Sequence, residues 1–355
     1  MERTDALQAA TATSALSVKT KFPLGQDRER IAGQYGIRIE RHGPSAVRAS
    51  QRSQRWWRLS AFLGNPMVTT AALPLLLGIA LGLFARFILP AASPVLTLIW
   101  AALLLFFYWD TLGPPAVPPV AASQKLIYLA FAGIIIGILP ERLAGGRTAS
   151  VLAAVAVAAA FLWLGWRRIA AGSLDLQMIA AIGVALLTLV GSAILGAKQP
   201  SSSSVEEPFL APAAILALSL AGAIISVLGA SIVTGQLLGS LAALIGGWCL
   251  VQYLATLRGG SAAPAGRGAE FLVLYAAASV LIQVALLAPK ANPAALVLSS
   301  LPPIAAALVR GRLQNLLPGA RPLRPLIAGI LIAAPAMLAI VTAIVWAPHG
   351  AALGY

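Results

Sequence analysis

PFLAPAAILALSLAGAIISVLGASIVTGQLLGSLAALIGGWCLVQYLATL, residues Pro208 to Leu257, is the longest stretch of the chain without Asp, Glu, Lys, Arg or His. One bilayer crossing takes about 20 apolar residues, so this run is too long for one span and suits two helices joined by a tight turn. It reads as a helical hairpin buried in lipid. Within its second helix Gly235, Gly239, Ala243 and Gly247 recur every fourth residue. That spacing puts small side chains on one face, which predicts a helix-packing surface where another backbone approaches closely.

Outward from the hairpin the composition carries the same message. Hydrophobic residues make up 59% and charged residues 10%, with a mean hydropathy of +0.87. Soluble proteins carry about 25% charged residues, and a soluble fold has no way to hide so much apolar surface. The expected class is therefore an all-α polytopic membrane protein. The formal net charge of +14 sits in an N-terminal segment and in short loops. Such placement records membrane orientation rather than nucleic-acid binding, so the expected partners are membrane lipid and other membrane subunits or a second copy. The single cysteine, Cys249, excludes an intrachain disulfide and reads as a small apolar core residue. No cofactor is expected. No cleavable signal peptide is expected either, because the first long apolar run starts only near Met67.

Residues 1–44 are polar and without lasting periodicity, the pattern of a disordered tail. In residues 45–63, Arg48, Arg52 and Arg55 recur at helical spacing ahead of Trp56, Trp57 and Phe62. Cations that meet lipid phosphates and indoles that sit at headgroup level predict an interfacial helix. Ten apolar segments follow, near 67–89, 94–109, 123–140, 148–166, 174–196, 209–232, 236–257, 270–288, 293–309 and 325–346. Helices are required, since an open strand would leave its backbone polar groups unpaired in hydrocarbon. Pro74 and the Pro302-Pro303 pair should kink or break their helices.

The arginines before the first span put the N-terminus in the cytoplasm of a bacterial-type inner membrane. Ten crossings then leave the loop from Arg310 to Arg324 outside. A re-entrant segment 293–309 would leave nine spans and return that loop to the cytoplasm. Against it stands a weak internal repeat: Pro66 and Pro208, Lys125 and Glu270, and Arg167 and Arg310 are each separated by roughly 140 residues. That offset suggests two inverted five-helix halves, 64–200 and 201–355.

All acidic residues lie at or beyond segment ends, as do His42 and His349, so no ion-coupling group is seen at the midplane and no metal site is expected. Arg86, about one turn from its helix end, reads as a snorkelling side chain. Tyr275, Ser279 and Gln283 share a face of the eighth segment, Gln236 and Ser240 share one in the hairpin, and Gln252 marks a further polar edge. Such residues are interhelical glue or the lining of a polar path. Arg310, Arg312, Arg321 and Arg324 flank an apolar strip, a pattern suited to anionic-lipid contact.

Three functions follow as expectations. The first is a non-enzymatic multi-pass protein acting through helix contacts as subunit, scaffold or assembly factor of a larger membrane complex. The second is a transporter or flippase for a neutral or amphipathic substrate, which demands that the polar residues converge on one cavity. The third is an enzyme acting on a lipid-linked phosphate, with Asp110, Glu141 and Asp175 as its only acidic candidates and no assigned catalytic residue.

Overall fold

The computed structural model describes residues 67–88, 94–143, 146–172, 174–196, 207–320 and 323–346, with backbone only for 139–143, 146–150, 192 and 194–196. The expected tail, the interfacial helix with Arg48, Arg52 and Arg55, and Arg321 all lie outside the described residues. Every regular element among those residues is helical. In order these are α1 (Leu73–Phe87), α2 (Pro94–Leu112), α3 (Ala122–Leu143), α4 (Gly146–Ala170), α5 (Leu176–Gly196), α6 (Glu207–Leu228), α7 (Ile232–Leu257), α8 (Arg267–Leu287), α9 (Pro293–Ser299), α10 (Pro302–Gly311) and α11 (Leu323–Val345). Among the described residues eight helices are long and apolar enough to cross a membrane, counting 293–311 as one, and the stretches Ala122–Ile138 of α3 and Leu176–Gly191 of α5 are apolar as well. Large apolar side chains such as Leu76, Ile135 and Val151 point outward with more than 60% of their surface exposed. The chain is an all-α polytopic membrane protein.

The hairpin forms as its sequence requires. Helix α6 stops where the N–H of Ser231 bonds the Ser226 carbonyl and that of Ala230 bonds the Val227 carbonyl, at 2.8 and 3.0 Å. This pair of bonds is a Schellman closure, which needs a residue at positive φ. Here Ala230 takes that place at φ 62 instead of the usual glycine. Proline also acts as expected. A π-helical turn, Val68–Ala72, leads into α1, whose second residue is Pro74. Pro74 offers no N–H to that turn, and the carbonyl of Thr70 accepts instead from the Ser240 hydroxyl at 3.4 Å. The Pro302-Pro303 pair divides α9 from α10. There the hydroxyls of Ser299 and Ser300 donate to the carbonyls of Leu296 and Val297, at 2.7 Å each, so both serines bond back to the last turn of α9.

The charge-free hairpin is not the most enclosed part. Within the apolar window of α8 83% of residues are buried, against 72% for α6 and 61% for α7. Beyond its first turn helix α8 carries only Tyr275, Ser279 and Gln283 as polar residues, on one face, and its burial shows neighbours all round. Glycines on those neighbours let them close in. Gly133 and Gly137 set α3 against Tyr275 and the Gly268 carbonyl, Gly222 sets α6 against Leu281, and Gly165 sets α4 against Leu286.

Chain direction follows from paired contacts. Helix α1 lies parallel to α7, with Thr70 at Ser240, Gly78 at Gly247, Gly82 at Val251 and Arg86 at Ser261. The end of the bundle holding Met67 is here termed the near end. Segment 293–311 starts at the near end, where Ala291 packs on Gly229, and finishes at the far end, where Arg310 meets Glu207. It therefore runs the full length of α6 in the opposite sense. A re-entrant segment would bring both its ends to one end of the bundle, whereas this segment, kinked at its prolines, runs from one end to the other. The directions of α1 and α6 are opposed, as inverted halves require. Yet the packing lacks the exchange symmetry, because α1 lies along α7 while α2 and α6 share no such interface.

Candidate functional site

The residues expected to line a polar path are taken up separately. Tyr275 donates to the carbonyl of Ala156 on α4 at 3.4 Å, and Ser279 donates to its own helix at the Tyr275 carbonyl, at 2.8 Å. Ser240 reaches α1, as above, and Gln252 Oε1 accepts from the Ala263 N–H in the α7–α8 connection at 2.9 Å. Gln283 is buried with no partner for its Oε1, and Gln236 is half-buried on α7. Tyr275 borders a sizeable cavity, and that cavity is apolar. Tyr275, Ser240 and Gln252 thus bond to three separate places, on α4, on the turn before α1 and in the α7–α8 connection, the behaviour of interhelical glue.

The cationic residues of the 310–324 loop divide likewise. Arg310 Nε lies 3.0 Å from Glu207 Oε1, and both side chains are largely buried, at 14% and 17% exposure. Glu270, in the first turn of α8, is close enough to feel Arg310, Glu207 and Arg267. The carboxylates sit at helix N-termini and the guanidinium at the C-terminus of α10, so each charge also complements its helix dipole. Arg310, expected from the sequence to contact anionic lipid, thus ties the C-terminus of α10 to the N-terminus of α6. Arg312 is exposed, and Arg324 is half-buried and engaged. Arg86, expected to snorkel, donates to the Ser261 carbonyl at 3.1 Å. Asp175, a catalytic candidate, caps α5 through the Met178 N–H at 2.9 Å and pairs with Arg168 at 3.4 Å. Asp110 is exposed at the end of α2, and the Glu141 side chain lies outside the described residues.

The expected ladder on α7 faces three ways. A Cβ at Gly247 would run into the Leu75 carbonyl of α1, and one at Gly235 would meet Val227 of the hairpin partner at 2.7 Å. Gly239, by contrast, has nothing within 4 Å of that position. Ala243 is half-exposed, as is Gly246. A different stripe therefore faces outward: Gln236, Gly239, Ala243, Gly246, Leu250, Tyr253 and Leu257, at alternating spacings of three and four. This is the seam spacing of a coiled coil, and its middle is built from the smallest side chains. No family model, curated protein or solved structure matches this chain. Fold and site accordingly rest on geometry.

A lipid-facing surface is ordinarily filled with bulky Leu, Ile and Val, as at the outward-facing Leu76 and Ile330. On α7 the outward stripe instead carries the small Gly239, Ala243 and Gly246, where a Cβ at Gly239 would meet nothing within 4 Å and one at Gly246 would meet Leu216 of α6 at 3.8 Å, while Leu250 and Leu257 on the same stripe are 44% and 50% exposed. A slot of this form lets a second helix come near enough for close van der Waals contact. Two further small-residue pairs, Gly78 with Gly82 and Gly133 with Gly137, mediate the α1–α7 and α3–α8 crossings. The same four-residue spacing that marks the α7 ladder was present there to be read. Among the described residues no three His, Cys, Asp or Glu side chains come together.

Proposed function

We propose that this protein is a membrane-embedded subunit or scaffold that acts through helix contacts, with the outward seam of α7 as its docking face for a helix of another subunit or a second copy. One observation carries the reading: the middle of the seam is built from Gly239, Ala243 and Gly246, open over Gly239, where a lipid-facing helix would carry bulky side chains. Its N-terminal arginines favour a cytoplasmic N-terminus in a plasma-type membrane. The polar residues support contact over conduction, because Ser240, Gln252, Tyr275 and Ser279 bond locally and at separate places.

Gly239→Leu and Ala243→Leu fill the slot without touching the bundle behind it. Native gels or native mass spectrometry of membranes solubilised in mild detergent should show the wild-type chain in a complex larger than a monomer. Each variant should then run at reduced complex size with unchanged helix content. A wild-type chain that is monomeric throughout, or variants that assemble like wild type, would sink the proposal.

A further inference from the structure

Between α3, α4 and α8 lies a cavity of about 390 Å³ that opens to the outer surface of the bundle. Its walls are Leu129, Ala132 and Ile136 of α3 and Leu152, Val155 and Ala159 of α4, with Tyr275 of α8 closing it. The wall residues are apolar, and the Tyr275 hydroxyl is already bonded to the Ala156 carbonyl. Along α4 from Leu152 to Trp163 the groove extends about 16 Å, and along α3 from Tyr128 to Ile136 about 12 Å, at 1.5 Å per residue. These lengths match one leaflet, about half of the ~30 Å hydrocarbon core.

The two ends of the groove differ. At the near end of the bundle Tyr128 and Trp163 meet edge to face with centroids 6.2 Å apart. One turn further out the Lys125 ammonium lies 5.7 Å from the Trp163 ring centroid and donates to the Trp163 carbonyl at 2.9 Å. An ammonium has three protons to donate, and Lys125 has no carboxylate partner among the described residues. Towards the same end of the bundle, Trp166 of α4 is 64% exposed and Trp109 of α2 58% exposed. Indoles in this position mark the level of the lipid headgroups. A one-leaflet apolar slot thus ends under a cation at headgroup depth.

We infer that this groove is a lipid site: it takes one acyl chain of an anionic membrane phospholipid from the leaflet at the near end, with the lipid phosphate on Lys125. The chain lies against Ala132, Val155 and Ala159, and the aromatic pair of Tyr128 and Trp163 packs on its first methylenes. A neutral lipid fills the slot but leaves its headgroup attraction unmade. The site lies on α3 and α4, away from the α7 seam, so its failure leaves the docking proposal standing and the reverse also holds.

The full chain, delipidated in detergent and titrated with phosphatidylglycerol or phosphatidylcholine, is read by native mass spectrometry. One phosphatidylglycerol should be held by wild type in preference to phosphatidylcholine. Lys125→Gln should weaken phosphatidylglycerol about fivefold, the factor for one basic residue near an anionic surface, and leave phosphatidylcholine unchanged. Lys125→Arg should restore the affinity. Ala159→Trp fills the slot from an exposed position and should abolish retention of both lipids at unchanged helix content. Equal retention of the two lipids by wild type, or Lys125→Gln indistinguishable from wild type, overturns the site. So does a wild-type dimer that Ala159→Trp dissolves, which would mean that a second copy covers the groove. If Ala159→Trp fails to fold, the lysine variants decide the matter alone.

Discussion

Gly247 and Gly239 sit on one helix, two turns apart, and were indistinguishable by spacing; an alanine at each should separate them. Alanine in place of glycine in a helix interior is worth about 1 kcal/mol through backbone entropy alone. At Gly239 nothing opposes that gain, since the new Cβ meets nothing within 4 Å. At Gly247 the Cβ would press on the Leu75 carbonyl and lie 2.8 Å from the Ile79 nitrogen and 3.1 Å from the Gly78 carbonyl carbon. All three are backbone atoms of α1, so relief requires moving a helix rather than turning a side chain. Overpacking of this kind costs about 1–3 kcal/mol. The net expectation is Gly239→Ala more stable than wild type by about 1 kcal/mol and Gly247→Ala less stable by up to about 2 kcal/mol, after the propensity gain is subtracted. The assay is thermal unfolding in one detergent, followed by tryptophan emission, because Trp248 packs edge to face on Trp100 at 5.7 Å beside this crossing. Equal midpoints for the two variants, or Gly247→Ala the more stable, would refute the close α1–α7 contact.

Ala230→Gly should raise stability by about 1 kcal/mol, because glycine takes positive φ without the Cβ penalty that alanine carries at φ 62; a lower unfolding midpoint would show that the turn is not closed in this way. Removing one partner of the Arg310–Glu207 pair should cost about 3 kcal/mol, the lower end for buried pairs, given side-chain exposures of 14% and 17%. In a double-mutant cycle with Arg310→Gln and Glu207→Gln, strictly additive losses would mean that the two do not interact. Cysteines introduced into a Cys249→Ala background should report the traverse of 293–311 directly. Asn315→Cys should be labelled from the same side of the membrane as Ser261→Cys, and Lys290→Cys from the other; one shared side for all three would restore a segment that turns back.

Much of the architecture could be read along the chain because membranes penalise unpaired backbone and reward apolar length. The hairpin at 208–257, the loop after Leu112 and the break at Pro302-Pro303 are all local consequences of residue type. What could not be read is which neighbour a face meets. Four-residue spacing identified a small-residue row on α7 but not that Gly247 serves α1 while Gly235 serves α6. The Arg310–Glu207 pair depends on the end of the bundle each helix reaches, which hydropathy leaves open. Polar periodicity on α8 likewise gave a face without its partners, and Tyr275 and Ser279 turned out to satisfy backbone carbonyls at different helices. The role of α8 as the enclosed centre had no composition signal of its own, since every segment is apolar.

The parallel contact of α1 with α7 has a bearing on how the protein is made. Ser240 and Thr70 are 170 residues apart, so α1 is in the bilayer long before its main partner exists. At about 5–20 residues per second that interval is roughly 10 to 30 s. Through it the Gly78 and Gly82 face has only lipid, or a transient helper, to rest on. Helix α1 has the apolarity to wait alone, with a span hydropathy of 2.1 over Val68–Phe87. Helix α3 must likewise wait for α8, because its Gly133 and Gly137 close on Tyr275 and the Gly268 carbonyl.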